Sequence, residues 1–184
     1  LFPHNLAMAA TRNPALVKAA AKVTAAELRA SGTRWNFAPV LDLGRQPLWS
    51  RFPETYGEDV YIGKIMGVAA IQGYEEDGLN NSTAVASCMK HYLGYSASRT
   101  GKDRTPIYMP EIEMREYYLP QFRAAVKAGS SSIMINSSDI NGVPVHASKV
   151  LLTDLLRKEL GFEGLIVTDW EDIIRLHSIH KVAT

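Results

Sequence analysis

The sequence lacks the features that mark small disulfide-rich, nucleic-acid-binding and membrane proteins. Its 184 residues include one cysteine, Cys88, which excludes an internal disulfide framework. The formal net charge of +1 predicts no cationic surface for nucleic acid. No apolar run reaches the roughly 18 residues that span a bilayer, so we expect no membrane partner. With 46% hydrophobic residues, the chain is of ordinary composition and long enough for one domain with a core.

Two kinds of motif are also missing. No glycine-rich phosphate turn follows the first predicted strand, and the cysteine and histidine spacing does not match a zinc site. We therefore expect neither cofactor nor metal. The chain starts at Leu1 without a signal-peptide pattern, and no helix stop or tail signal precedes Thr184. These ends suggest a fragment of a longer chain.

Helical patterns alternate with short apolar runs along the sequence. Asn13-Pro14 is typical of an N-cap followed by proline at the first helical position, and Gly32 would end this helix. Further helices are predicted over 60–76, 110–128 and 148–160, and strands over 35–41, 84–89, 132–135 and 165–168. This alternation indicates parallel strands joined by right-handed crossovers.

Every predicted strand is followed by polar or charged residues. These residues are Asp42, Lys90-His91, Asn136 to Asp139, and Asp169. The ends of the strands are where a parallel (β/α)8 barrel carries its catalytic groups. Four strands cannot close a barrel of eight. We therefore predict an α/β fold, a partial (β/α)8 barrel with about four βα units, and an open doubly wound sheet is the alternative.

The segment Gly164–Trp170 carries the strongest functional signal. Its apolar run is typical of a strand buried on both faces, and the run ends at Asp169. We interpret Asp169 as a catalytic nucleophile and Trp170 as a flat apolar surface for a sugar ring. The alternative is that Asp169 caps the following helix, although Asp172 could serve as that cap instead.

Lys90 and His91 form the second candidate group. They could hold substrate hydroxyls, or they could be a lysine reaching solvent and a histidine satisfied in the core. Because neighbours on a strand point to opposite faces, both reach one site only if the strand has ended or is distorted there.

The loop 43–51 carries Arg45 and Arg51, whose planar side chains suit vicinal hydroxyls or a carboxylate. We expect one of the two arginines to form a salt bridge with Glu54, Glu58 or Asp59. The charged cluster 99–104 is interpreted as solvated surface. The polar residues 136–139 offer hydrogen bonds near the third strand, although a turn at Asn141-Gly142 accounts for part of this polarity.

Taken together, these segments resemble glycoside hydrolase family 3, which includes many β-glucosidases. The resemblance covers Leu1 to about Leu176 and rests on four segments in order: Ala38–Asp42 with the arginine loop, Lys90-His91-Tyr92, Asn141-Gly142 with the helix after it, and Gly161–Trp170. The resemblance implies retaining hydrolysis of a β-glycoside, with Asp169 forming a covalent glycosyl-enzyme.

The resemblance also implies roles for the neighbouring residues. Arg51, Lys90 and His91 would bind the ring hydroxyls, Arg51 and Lys90 would keep Asp169 ionised, and Trp170 would face the aglycone. Ser137, another candidate substrate contact, stands where many members of the family have a tyrosine near the nucleophile.

In the β-glucosidase type, the acid/base glutamate lies in a second, α/β sandwich domain. Residues 1–184 would then be a fragment of the barrel domain, without that second domain. The loop 94–109 contains no histidine, which departs from the family's N-acetylglucosaminidases. The implied partner is a β-glucoside or an oligosaccharide, and the family association favours a periplasmic or secreted location.

Two other readings stay open. Lys90 at the end of a barrel strand would also suit a Schiff-base aldolase. The isolated chain could instead be an inactive, sugar-binding piece that exposes sheet edges and aggregates.

Overall fold

The computed structural model describes residues 1–76 and 78–184. Its helices are α1 Asn5–Ala10, α2 Pro14–Ala30, α3 Val60–Tyr74, α4 Glu111–Glu113, α5 Pro120–Lys127 and α6 Asp172–Ser178, with π-helical segments at Met114–Tyr118 and Val150–Glu159. Its strands are β1 Trp35–Asn36, β2 Ala86–Tyr92, β3 Ser132–Ile135, β4 Asp139–Ile140, β5 Val143–Pro144 and β6 Leu165–Val167.

Four strands form a parallel sheet in the order β1-β2-β3-β6. The helices α2, α3 and α5 pack side by side in sequence, and α3 and α5 also contact β2. The predicted parallel α/β architecture is therefore confirmed, and every parallel strand carries its carboxyl end to the same edge of the sheet. The hairpin β4–β5 turns at Asn141-Gly142, as the sequence indicates.

The first strand is shorter than the predicted 35–41. Pro39 has no N–H with which to continue the ladder. The chain still runs beside β2, because the carbonyl of Pro39 accepts a hydrogen bond from the Lys90 N–H and the Leu41 N–H donates to the carbonyl of Lys90. Asp42 therefore reaches the same edge of the sheet as the residues at the end of β2.

The second strand extends beyond its predicted end, to Tyr92. Its register against β3 shifts between Met89 and Tyr92. Such a local irregularity redirects side chains that would otherwise alternate strictly between the two faces. Lys90 and His91 both line one cavity as a result. Neighbours on a regular strand would instead point to opposite faces.

Two helices start where the sequence indicates. Asn13 Oδ1 accepts a hydrogen bond from the Leu16 N–H, and Asp59 Oδ1 accepts one from the Ile62 N–H. The predicted helix 110–128 is divided instead, because Pro120 cannot donate a backbone hydrogen bond, and a π-helical segment precedes it. Within residues 1–76 and 78–184, no helix combines the length and apolar character needed to cross a membrane.

Candidate active site

A cavity of about 450 Å³ opens at the carboxyl ends of β2, β3 and β6. Its walls are formed by Phe37, Arg51, Lys90, His91, Met134, Thr168, Asp169, Trp170 and Glu171. The folded chain thus brings five of the six predicted site residues to one cavity. The sixth, Ser137, lies buried close by.

Asp169 lies two residues after the last residue of β6, and its side chain is only 16% exposed. Its Oδ1 accepts a hydrogen bond of 2.6 Å from the Trp170 N–H and lies 3.3 Å from a guanidinium nitrogen of Arg104. Its Oδ2 lies 3.6 Å from Nε2 of His91. Helix α6 has no side-chain cap, so neither Asp169 nor Asp172 caps it. The alternative that Asp169 caps the helix is therefore wrong, and so is the suggestion that Asp172 could do so.

The surroundings of Asp169 favour its charged form. Burial alone would raise the pKa of this carboxyl, but the Trp170 N–H, the His91 ring and the Arg104 guanidinium outweigh burial and lower the pKa below its usual value. Asp169 is therefore a carboxylate at neutral pH. The arginine that contacts Asp169 is Arg104, whereas the resemblance implied that Arg51 and Lys90 keep it ionised. Arg51 is instead engaged with Glu54.

His91 is 1% exposed and is hydrogen-bonded to Asp42. The Asp42 Oδ2 atom accepts hydrogen bonds from the His91 backbone N–H, at 3.0 Å, and from Nδ1, at 2.7 Å. Because a carboxylate only accepts, Nδ1 carries a proton and donates to Asp42, while Nε2 lies on the opposite side of the ring. Arg51 donates to this Nε2 at 3.0 Å. Asp42, a residue not assigned a function from the sequence, thus sets the orientation of the imidazole.

Arg51 is the arginine of loop 43–51 that forms the expected salt bridge. It binds Glu54 through two hydrogen bonds of 2.8 Å each. Arg45 instead stacks over the Tyr117 ring at 4.4 Å. The ion pair lowers the pKa of Glu54 despite partial burial, so Glu54 is ionised at neutral pH. Arg51 lines the cavity while Glu54 and His91 fix its plane.

Lys90 and Trp170 both line the cavity, but Lys90 is largely buried whereas Trp170 is exposed. Burial and the neighbouring Arg51 charge lower the pKa of Lys90, while Glu54 and Asp169 oppose that shift. Trp170 is 73% exposed and offers its ring to the mouth of the cavity. A cation and an open aromatic face at one cavity suit a polar ring-shaped ligand.

Ser137 is buried, and its hydroxyl has no hydrogen-bond partner within 3.5 Å among the described residues. It lies near enough to Asp169 to help lower the pKa of that carboxyl. The phenol of Tyr95 approaches Ser137 from the loop 94–109 and is likewise buried without a partner. Ser137 thus lies beside the candidate nucleophile, as predicted, but makes no direct hydrogen bond to it.

The loop 99–104 is not the solvated surface that its charge suggests. Asp103 accepts a hydrogen bond of 3.0 Å from the indole of Trp49, which is buried. Arg104 turns the other way, toward Asp169 and Asp172. The interpretation as free surface is therefore wrong, because a local charge pattern does not reveal partners about 65 residues away along the chain.

The described part of the chain holds no arrangement of three histidine, cysteine, aspartate or glutamate side chains that could bind a metal ion. The polar groups of the cavity instead form carboxylate–imidazole and carboxylate–guanidinium pairs. These pairs suit the binding of hydroxyl groups and the stabilisation of one anionic carboxylate.

The chain matches a known protein family. The sequence profile described as the glycosyl hydrolase family 3 N terminal domain matches residues 1–184. The chain belongs to glycosyl hydrolase family 3. This membership confirms the resemblance drawn from the four segments of the sequence.

Relatives with curated names are glycosidases. A lysosomal β-glucosidase of Dictyostelium discoideum is 48% identical over 189 residues, covering 100% of this chain and 23% of that protein. A periplasmic β-glucosidase/β-xylosidase of Dickeya chrysanthemi is 31% identical over 185 residues, covering 92% of this chain and 28% of that protein. The chain therefore spans about a quarter of the length of these relatives.

A solved structure shows the same fold. The β-glucosidase of Listeria innocua matches with a TM-score of 0.97 at 34% identity, over 100% of this chain and 26% of that chain. Crystal structures of that enzyme contain glucose, and a mutant of it contains laminaribiose. The predicted fold class, a partial (β/α)8 barrel, is confirmed by this match together with the four parallel strands.

Proposed function

We propose that this chain forms part of a retaining β-glucosidase in which Asp169 is the nucleophile. The observation that carries this proposal is the ionised Asp169 carboxylate at the end of β6, facing a cavity that Arg51, Lys90 and His91 also line. In a family 3 barrel these groups would surround the sugar whose anomeric carbon reacts.

The chemistry proceeds in two displacements. Asp169 attacks the anomeric carbon, the bond to the glycosidic oxygen breaks, and a covalent glycosyl ester forms. The departing glycosidic oxygen takes a proton from the acid/base. Water then gives a proton back to that group, attacks the same carbon and releases Asp169 as a carboxylate. Arg51 and Lys90 donate to ring hydroxyls, while Trp170 at the mouth faces the aglycone.

We assign the acid/base to a part of the longer protein outside these 184 residues, in a second, sandwich domain. Glu54 is unsuited to the role, because its ion pair with Arg51 keeps it ionised. The relatives are about four times as long as this chain, which leaves room for such a domain. Residues 1–184 would then be the partial barrel that carries the nucleophile.

The preferred substrate is a terminal β-D-glucosyl residue. This assignment rests on a relative named β-glucosidase at 48% identity and on the glucose and laminaribiose complexes of the Listeria enzyme. A relative named both β-glucosidase and β-xylosidase makes xylosides the comparison substrate. That same relative is named as a periplasmic enzyme, and a periplasmic location is proposed for this protein on this basis.

Labelling of the full-length protein tests the nucleophile. A 2-deoxy-2-fluoro-β-glucoside with a good leaving group should inactivate the enzyme and add one fluoroglucosyl group to Asp169, located by peptide mass spectrometry. Asp169→Asn should lower kcat by about a thousandfold or more. Asp154→Asn, at a surface carboxylate bound by Lys149 and Lys158, is the matched control and should keep wild-type activity. A label on any other residue would overturn the assignment.

The Schiff-base alternative is favoured by one observation, the lowered pKa of Lys90, which raises the fraction of free amine. Borohydride reduction with a carbonyl substrate distinguishes the two chemistries. We expect no stable adduct on Lys90, and an adduct there in a protein that fails to label at Asp169 would replace the glycosidase proposal with an aldolase.

A further inference from the structure

Arg104 contacts the segment that carries Asp169. One guanidinium nitrogen lies 2.7 Å from Asp172 Oδ1 and 3.2 Å from the carbonyl of Trp170, and the other lies 3.3 Å from Asp169 Oδ1. A single side chain from the loop 94–109 therefore holds three acceptors on the segment that follows β6. No other arginine of the described chain hydrogen-bonds to Asp169.

Asp172 anchors this arginine. It is 2% exposed, and its carboxylate faces Arg104, Arg175 and His146 at 2.7, 3.8 and 3.7 Å. A buried carboxylate with a single short partner directs that partner strongly, because losing the contact leaves an uncompensated buried charge. The planar fork of arginine allows Arg104 to contact Asp172 through one nitrogen and Asp169 through the other.

The backbone on both sides of this contact has the rare left-handed conformation. Arg104 has φ of 58° and Glu171 has φ of 61°, although neither is glycine. Such residues cost free energy and persist where the surrounding structure demands them. The loop is fixed from its other side by the Trp49–Asp103 hydrogen bond. The arginine is thus presented by a constrained loop rather than by a mobile one.

We propose that Arg104, anchored by Asp172, is a positioning residue that orients the Asp169 carboxylate and keeps it anionic for attack. This inference rests on the proposed function of Asp169. Arg104 then supplies the hydrogen bond to Asp169 that Ser137 does not make. The Ser137 hydroxyl has no hydrogen-bond partner within the described structure.

Several charged or titratable groups face Asp169, and the test has to separate them. They are Lys90 and His91 on β2, Arg104 on the loop 94–109, and His146 on the turn Val145–Ala147, with Arg51 and Glu171 on the wall of the same cavity. Removal of Arg104 takes away a cation, so the pKa of Asp169 rises. Because the carboxylate is the reactive form, the acid limb of the rate profile then moves to higher pH.

The experiment measures the rate of inactivation by the 2-fluoroglucoside against pH in the full-length enzyme. Arg104→Gln should move the acid limb up by about one pH unit, while Arg104→Lys, which keeps the charge, should move it by less than half as much. Arg115→Gln, at an arginine paired with Glu111 and Glu159, is the matched control and should leave the limb unchanged. Repeating the series in a His146→Gln background removes the titration of that imidazole.

The outcomes are distinguishable. Labelling of Asp169 with the same acid limb in wild type and Arg104→Gln would overturn the role of Arg104 alone. Absence of any label on Asp169 in wild type would overturn the proposed function. A uniform fall in rate without a shifted limb would mark Arg104 as structural only. Should Arg104→Gln fail to fold, Arg104→Met, which keeps the apolar stem, carries the same expected shift.

Discussion

At the residue scale, the candidate site is a set of paired charges rather than isolated catalytic side chains. Asp42 fixes His91, Glu54 fixes Arg51, and Asp172 fixes Arg104. Each carboxylate satisfies and orients a donor that lies nearer to Asp169 or to the cavity. The site is thus organised before any sugar enters, which reduces the entropy cost of binding.

The Asp42–His91 pair gives a prediction at this scale. One oxygen of Asp42 accepts both hydrogen bonds from His91, while Oδ1 has no partner in the described chain. An asparagine can place its carbonyl oxygen where Oδ2 stands and keep the imidazole tautomer, whereas alanine cannot. We expect Asp42→Ala to lower kcat/KM for an aryl β-glucoside by about 10- to 100-fold, by analogy with loss of a partner that orients a histidine.

Steady-state kinetics on the full-length variants measure this effect, and Asp42→Asn is the control that should retain most of the activity. Thermal unfolding of both variants separates a folding defect from a misplaced imidazole. Equal losses in the two variants at equal stability would contradict the orienting role.

At the scale of the elements, glycine decides how closely two helices approach. An ideal Cβ on Gly73 of α3 would lie 2.5 Å from the carbonyl oxygen of Lys18 and 2.5 Å from Cβ of Ala21, both on α2. A backbone carbonyl cannot move away without shifting its helix. The close packing of α2 against α3 therefore depends on the absence of a side chain at residue 73.

Gly73→Ala should lower the free energy of unfolding by about 1–3 kcal/mol, because overpacking outweighs the gain in helix propensity. Gly63→Ala on the same helix is the matched control, since its nearest neighbour is the flexible side chain of Gln121 at 3.2 Å. Chemical denaturation of the two variants gives the comparison. A Gly73→Ala variant as stable as Gly63→Ala would contradict the packing argument.

At the scale of the whole molecule, the described sheet has two open edges, at β1 and β6. Large apolar side chains near the β6 edge are exposed, among them Leu165 at 56%, Ile173 at 59% and Ile174 at 63%. Exposed apolar surface beside an unpaired strand edge promotes association. Other parts of the longer protein would cover this surface in the family 3 arrangement proposed above.

We therefore expect the isolated 184-residue chain to aggregate and to hydrolyse natural glycosides negligibly, since the proposed acid/base lies elsewhere. Size-exclusion chromatography with light scattering and calorimetry measure the association and unfolding of the chain, and an assay with a natural glycoside measures its hydrolysis. The full-length protein is the control in each case. A monomer with one cooperative unfolding transition would contradict the expectation.

The sequence by itself determined the alternation of helices and strands, the parallel sheet and the position of Asp169 at the end of β6. These features follow from local periodicity, caps and the polar residue after each apolar run, all of which lie within a few residues of one another. The resemblance of four ordered segments also predicted that Arg51, Lys90, His91 and Trp170 share one site.

Only the tertiary structure decided which charges meet. Arg104 lies 65 residues from Asp169 along the chain, and Asp42 lies 49 residues from His91. A charged loop has the same local pattern whether it is solvated or folded onto a distant carboxylate. The register shift in β2 likewise depends on pairing with a neighbouring strand. The ion pairs of the site are formed by segments that are distant in sequence, and local periodicity cannot predict such contacts.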